Sequence, residues 1–356
     1  MYSRIAFFAK DFFPYIIGIS AVIVLFVFFI TFLLKSPFTP KAKKILIAIA
    51  FFVVSTVLVF SILEGYFRYI YDESDGLGFL QVNKRWAQRH VVYNNFFKRD
   101  RDFKAEKPAG IIRIGMLGDS VTFGQGIANP EDRFSNILQK NLQEGGINAE
   151  VYNLGVSGLD SHEEIKAYQD LSYLNFDIVV WQYYLNDIQP EDKSIPSKII
   201  SQNAYPIDLL RKLSEKSTFF DFLYWRFSSK YSTTFDQLDS HYTSMYGDET
   251  ILNSHQKELS EFIGKLKDEN KEIIVIIFPF IELLGPNYPA TEAHSKLQSY
   301  FHSQDIETID LLDDLKNSNW KDLIASRFDT HPNEKVHNLA AEKLYEKICP
   351  KLKQPK

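Results

Sequence analysis

Ser120 stands in Gly118-Asp119-Ser120-Val121-Thr122-Phe123-Gly124, directly after the apolar run Ile114-Gly115-Met116-Leu117. A serine hydroxyl becomes a nucleophile only when a base within hydrogen-bond reach takes its proton. Near the other end of the chain, Phe328-Asp329-Thr330-His331-Pro332-Asn333 offers His331 as that base. Asp329 could orient its ring and stabilise the imidazolium; Asp310 and Asp313 are the alternative carboxylates. Attack on an acyl carbonyl also needs donors for the oxyanion that forms. Two segments supply candidates: the Gly155 N–H in Asn153-Leu154-Gly155-Val156-Ser157-Gly158, and the Asn186 amide in Tyr183-Tyr184-Leu185-Asn186-Asp187. Each of these residues has a plainer reading, as a turn or a helix cap. A Gly-Asp-Ser turn alone is weak evidence, and its place at the end of an apolar run is what raises it. Asp329, His331 and His337 match no zinc-binding spacing, so neither a metal nor another cofactor is expected.

Such groups must be brought together by a scaffold, and the chain after Gly110 has the rhythm of one. Short apolar runs at 111–117, 149–154, 176–181, 272–279 and 307–311 read as buried strands. Between them, 133–144, 162–174, 252–270 and 291–302 have helical spacing, and 333–348 closes the chain. Strand then helix, repeated, predicts an α/β fold with a mainly parallel sheet covered on both faces. Reacting groups in such folds collect at the carboxyl ends of strands. Residues 188–250 interrupt the rhythm as an insertion. Within it, 217–227 carries seven large apolar or aromatic residues, which suit a helix packed on the domain, a lid or acyl-binding wall, or a surface resting on a membrane.

The first 64 residues differ in kind. Residues 12–34 and 45–63 carry no charge, 23 and 19 residues in a row. Each is long enough to cross a bilayer as a helix, which takes roughly 20 apolar residues. The first is too long, and lacks the small-residue end, of a cleaved signal peptide. The loop between them, 35–44, holds Lys35, Lys41, Lys43 and Lys44 and no acid, which predicts a cytoplasmic loop with both flanks outside. The expected organisation is a membrane anchor at 1–64, a connector at 65–109, and a catalytic domain at 110–350. Glu64 and Arg68, four apart, can pair where the second helix leaves the bilayer. The single cysteine, Cys349, cannot form an intramolecular bridge, and a net charge of −5 without a long basic run argues against nucleic-acid binding.

The four blocks around Ser120, Gly155, Asn186 and His331 resemble those of the SGNH hydrolases, also called the GDSL family, over about residues 110–350. Two departures stand out: Tyr184 occupies a position where the family usually has glycine, and Asp329 lies two residues before His331 rather than three. The resemblance implies a flavodoxin-like three-layer sandwich with no metal, and the two uncharged runs place two transmembrane helices before it. It also implies an acyl-enzyme mechanism with Ser120 as nucleophile and His331 as base. The N–H groups of Ser120 and Gly155 and the Asn186 amide would hold the oxyanion. No Gly-x-Ser-x-Gly elbow of the alpha/beta-hydrolases occurs.

The expected function is therefore a serine-dependent esterase cleaving O-acyl esters of a glycan or lipid outside the cytoplasmic membrane. An O-acyltransferase modifying an exported polysaccharide, fed by a membrane acyl-donor partner, keeps the nucleophile but changes the acceptor. A catalytically dead, membrane-tethered glycan-binding protein is the non-enzymatic alternative. The expected partners are the lipid bilayer and the acylated substrate.

Overall fold

The computed structural model describes residues 2–188 and 194–353, with side chains from Phe12 onward. The chain divides into two compact units, one of residues 1–71 and 212–223, the other of residues 72–211 and 224–356.

The first unit contains helix α1, Tyr2–Lys35, and helix α2, Pro40–Tyr69. Both expected membrane spans lie inside them. Pro40 opens α2, where its missing N–H costs nothing, and Thr39 accepts from Ala42 N–H. Lys43 Nζ donates to the Leu34 carbonyl at 2.9 Å, so a loop lysine satisfies one of the last carbonyls of α1. Phe13, Ile17, Leu25, Phe28, Phe52 and Ile62 face outward along these helices. An apolar outer surface of this extent suits association with a membrane. The expected pair forms, with Arg68 Nε 2.7 Å from Glu64 Oε1. Glu64 also accepts from Ser217 Oγ and from the Thr218 and Phe219 N–H groups, at 2.7–3.0 Å. A carboxylate on α2 thus caps the start of the helix Thr218–Phe227. Phe219 and Phe222 stack on Phe67 with centroids 5.4 and 4.4 Å away. In the second unit, Trp225 is buried and stacked on Phe79 at 4.4 Å.

The second unit holds a five-stranded parallel sheet: β1 Ile112–Leu117, β2 Ala149–Asn153, β3 Ile178–Tyr184, β4 Glu272–Phe278 and β5 Glu307–Asp310. The order is β2-β1-β3-β4-β5, the flavodoxin-like winding, with every pairing parallel. Strand β3 is buried along its whole length, which is why apolar and aromatic residues fill it apart from Gln182. It starts two residues later and runs three further than the expected 176–181. Phe176 lies just before it, its ring against Gly115 on β1. The helices Phe134–Glu144, Ser161–Gln169, Glu249–Asp268, Thr291–Ser303 and Glu334–Lys353 lie at the expected places.

Within the expected insertion, residues 189–193 lie outside the described part, and the rest forms four helices between Ser194 and Met245. Among the elements with no counterpart in the sequence pattern is a hairpin of β6 Ile324–Ser326 and β7 Asp329–Pro332. It carries both Asp329 and His331.

Candidate active site

The winding order places a switch point between β1 and β3, where connections leave in opposite directions and open a crevice at the strands' carboxyl ends. Ser120 begins a short helix just beyond β1, and Asn186 lies in the turn after β3. The turn into Ser120 requires glycine. Gly118 has φ +156°, and a Cβ there would sit 2.2 Å from Thr122 Oγ1 and 2.3 Å from Gln182 Oε1. Buried Gln182, on β3, closes the turn by accepting from Asp119 N, Thr122 N and Thr122 Oγ1. Asp119 caps the helix by accepting from Val121 N–H at 2.9 Å.

Ser120 Oγ lies 2.8 Å from His331 Nε2, and His331 Nδ1 lies 2.5 Å from Asp329 Oδ1. Nδ1 carries its proton toward the carboxylate, which leaves Nε2 free to accept from the serine. Successive side chains on a strand alternate sides, so residues two apart share a face. On β7 the Asp-x-His spacing therefore puts the carboxylate and the ring on the same side. Asp329 reaches His331, whereas Asp310 accepts from His294 Nδ1 at 2.9 Å and Asp313 pairs with Lys316 at 2.8 Å. His337 is buried with Nδ1 accepting from Phe134 N–H at 3.2 Å. Burial and the nearby Arg133 hold it down to about 3, so it stays a neutral acceptor.

Burial pulls the His331 pKa down. The charge and hydrogen bond of Asp329 outweigh it, with help from Asp119 and Glu282, and the net shift is upward. Asp329 is fully buried, which alone would raise it. The charge of His331 and hydrogen bonds from His331 and Ser74 hold it below the usual carboxylate range. Deeper in the fold, Asp119, Glu164 and Asp187 bring carboxyl oxygens within 4.8 Å of one another, all buried. Burial and the neighbouring acids push Glu164 and Asp187 well above the usual carboxylate range, which favours their neutral forms beneath Ser120.

The oxyanion donors require a correction. Gly155 does not offer a free N–H, because it donates to Asn153 Oδ1 at 3.0 Å. Its own role is packing: a Cβ would lie 2.3 Å from Phe123 N and 2.6 Å from the Thr122 carbonyl carbon. Gly158, three residues on, lines a cavity of about 410 Å³ together with Ser120, Asn186 and His331. Among the described residues its N–H has no partner, nor has that of Ser120. Asn186 also faces this cavity, its Oδ1 buried behind without a partner among the described residues. The turn that presents it is held by Asp187, whose Oδ2 accepts from Tyr184 N–H at 2.6 Å. Tyr184 is extended, with φ −112°, so glycine is not needed at that position. Its ring lines the cavity instead. Two more residues escaped the sequence reading. Ser74 donates to Asp329 Oδ2, and Gln125 Nε2 donates to Ser74 Oγ at 2.9 Å.

This arrangement defines a serine hydrolase acting on esters, and comparison with known proteins places it more closely. Residues 116–339 match the GDSL-like lipase/acylhydrolase family, and the chain belongs to that family. Among solved structures it is similar to TesA, with 15% identity and TM-score 0.42, over 67% of this chain and 98% of that one. It is also similar to the acetyl xylan esterase AlAXEase, at 18% identity and TM-score 0.42, over 67% and 100% of the two chains. A third is the psychrotrophic esterase EstA from Pseudoalteromonas sp., at 16% identity and TM-score 0.37, over 68% and 99%. A search of curated proteins found no match.

Proposed function

We propose that this protein removes O-acyl groups from a glycan or lipid at the outer side of the cytoplasmic membrane, through an acyl-enzyme on Ser120. The observation that carries the reading is the line Ser120–His331–Asp329, hydrogen-bonded end to end beside N–H donors that have no partner among the described residues. Ser120 Oγ attacks the ester carbonyl while its proton passes to His331 Nε2. Asp329 steadies the imidazolium, and the N–H groups of Ser120 and Gly158 with the Asn186 amide receive the oxyanion. The alkoxide leaves with the proton from His331, and the acyl group stays on Ser120. Water then gives its proton to His331 and attacks the acyl carbonyl, and Ser120 departs with that proton.

In this reading both apolar helices cross the membrane, and the lysine-bearing loop 35–44 faces the cytoplasm. The bilayer and the acylated substrate are the partners. Purified full-length protein in detergent is expected to hydrolyse p-nitrophenyl acetate and to be labelled at Ser120 by a fluorophosphonate. Ser120→Ala and His331→Ala should abolish turnover, and wild-type rates in either variant would refute the mechanism. For the topology, a periplasm-only reporter fused after the last residue should be active; activity of a cytoplasm-only reporter there would reverse it.

A further inference from the structure

We propose that Ser74 is a positioning residue for the triad acid, and that a chain of side chains running Ser157–Gln125–Ser74–Asp329 ties that acid to the loop carrying Gly158. This inference rests on the serine-hydrolase reading and deepens it.

The geometry is built from the segment that leads into the second unit. Asp329 uses Oδ1 for His331, accepting from both its Nδ1 and its backbone N–H. The other oxygen, Oδ2, accepts from the hydroxyl of Ser74, which is 4% exposed. A carboxylate held at one oxygen can still turn about its last torsion. A donor at the second oxygen fixes its plane, and so fixes the direction in which Oδ1 meets the ring. Ser74 is itself pinned. Gly76 N–H donates to the Phe328 carbonyl at 2.9 Å, which clamps the segment onto the start of β7. Asp75, the next residue, accepts from Tyr231 Oη and from the N–H groups of Leu77 and Leu80. Beyond Ser74 the chain continues: Gln125 Nε2 donates to Ser74 Oγ, and Ser157 Oγ donates to Gln125 Oε1 at 3.4 Å. Ser157 directly precedes Gly158. The two halves of the site, proton relay and oxyanion loop, are thereby held in one hydrogen-bonded frame by residues that do not touch the reacting atoms.

Without the serine hydroxyl, Oδ2 would be a fully buried carboxylate oxygen lacking a donor, and the carboxylate would become more basic. Among the described residues, the titratable groups facing this pair include Asp75 from the same segment, Asp119 beyond β1 and Glu282 beyond β4, all acids, and His337 on the last helix, which stays neutral. The Asp329–His331 pair should then hold its proton more tightly, and the acid limb of the rate profile should move to higher pH.

The test uses full-length protein in detergent, with the active-site concentration set by fluorophosphonate titration and p-nitrophenyl acetate as substrate. Ser74→Ala is expected to lower kcat per titrated site about tenfold, with KM within about twofold, because orientation rather than binding is lost. Its acid limb should shift upward, and Ser74→Thr, which keeps the hydroxyl, should restore both rate and limb. A lower titratable fraction with unchanged kcat per site and an unmoved limb would make Ser74 merely structural and overturn the proposal. So would a threonine variant as slow as alanine. Ser120→Ala measured alongside separates the two levels: turnover in that variant refutes the serine reading itself. An inactive Ser120→Ala with a wild-type Ser74→Ala refutes only the present inference.

Discussion

Replacing Asp329 by asparagine keeps the shape of the side chain and removes its charge, at a position with no exposed surface. The carboxylate now accepts three hydrogen bonds, from His331 Nδ1, His331 N and Ser74 Oγ. An asparagine has one oxygen, so its amide nitrogen must face either Ser74 or the ring. If it faces Nδ1, the imidazole proton moves to Nε2, and Ser120 meets a donor instead of a base. The expected loss in kcat is about 10³–10⁴-fold, equivalent to roughly 4–5.5 kcal/mol of transition-state stabilisation. The same change should also alter stability with a particular pH signature. The Asp329 pKa is depressed on folding, so its contribution is present above the ordinary carboxylate value near 3.9 and is lost as pH falls through the folded value. The His331 pKa is raised, so its contribution is full below about 6.5 and is lost as pH rises through the folded value. The gap in Tm between wild type and Asp329→Asn is therefore expected to be widest from about pH 4 to 6.5 and to narrow on either side. Thermal melts at pH 3, 5.5 and 9, with p-nitrophenyl acetate kinetics normalised by active-site titration, measure both effects. A gap equal at all three values, or a kcat within tenfold of wild type, would refute the assignment of Asp329 as the partner of His331.

Three further substitutions bear on the oxyanion donors and the turn that presents them. Asn186→Ala should lower kcat by about 10²–10³ with a smaller change in KM, since the amide acts mainly on the charged intermediate; a KM effect alone would place Asn186 in substrate binding. Gly155→Ala forces a Cβ to 2.3 Å from a backbone nitrogen, whereas Gly158→Ala meets nothing within 4 Å and carries only the strain of φ +84°. The first should fail to accumulate as folded protein, and the second should fold with a loss of about 1–2 kcal/mol, read from denaturant melts. The reverse order of stability would mean that the two glycines have been given each other's roles.

Much of the scaffold was legible because parallel strands buried on both faces are continuous apolar runs. The sequences of β1, β3 and β4 are close to that kind, broken by Arg113, Gln182 and the leading Glu272. The hairpin was not legible, since three- and four-residue strands reading Ile-Ala-Ser and Asp-Thr-His-Pro have neither length nor hydrophobicity to mark them. The Asp329 spacing departs from the three residues usual in the family, and the hairpin accommodates it, because residues two apart on a strand share a face.

The oxyanion loop shows a different limit. Gly155 and Gly158 are equally glycine in the sequence, and the choice between them depends on Asn153 folding its side chain back onto the Gly155 N–H. A single side-chain torsion decides which backbone donor remains open, and no local pattern encodes it. Ser74 is harder still. It is one serine in Asp-Glu-Ser-Asp, 255 positions from the carboxylate it serves, and its meaning comes from the Gly76–Phe328 clamp that brings the segment against β7. Local pattern was enough to pick out Ser120, Asn186, Asp329 and His331, which the fold brings together. The groups that aim them are set by contacts between distant segments, and for that reason the perturbations with most to reveal lie at Ser74 and in the turn that orders Gly155 and Gly158.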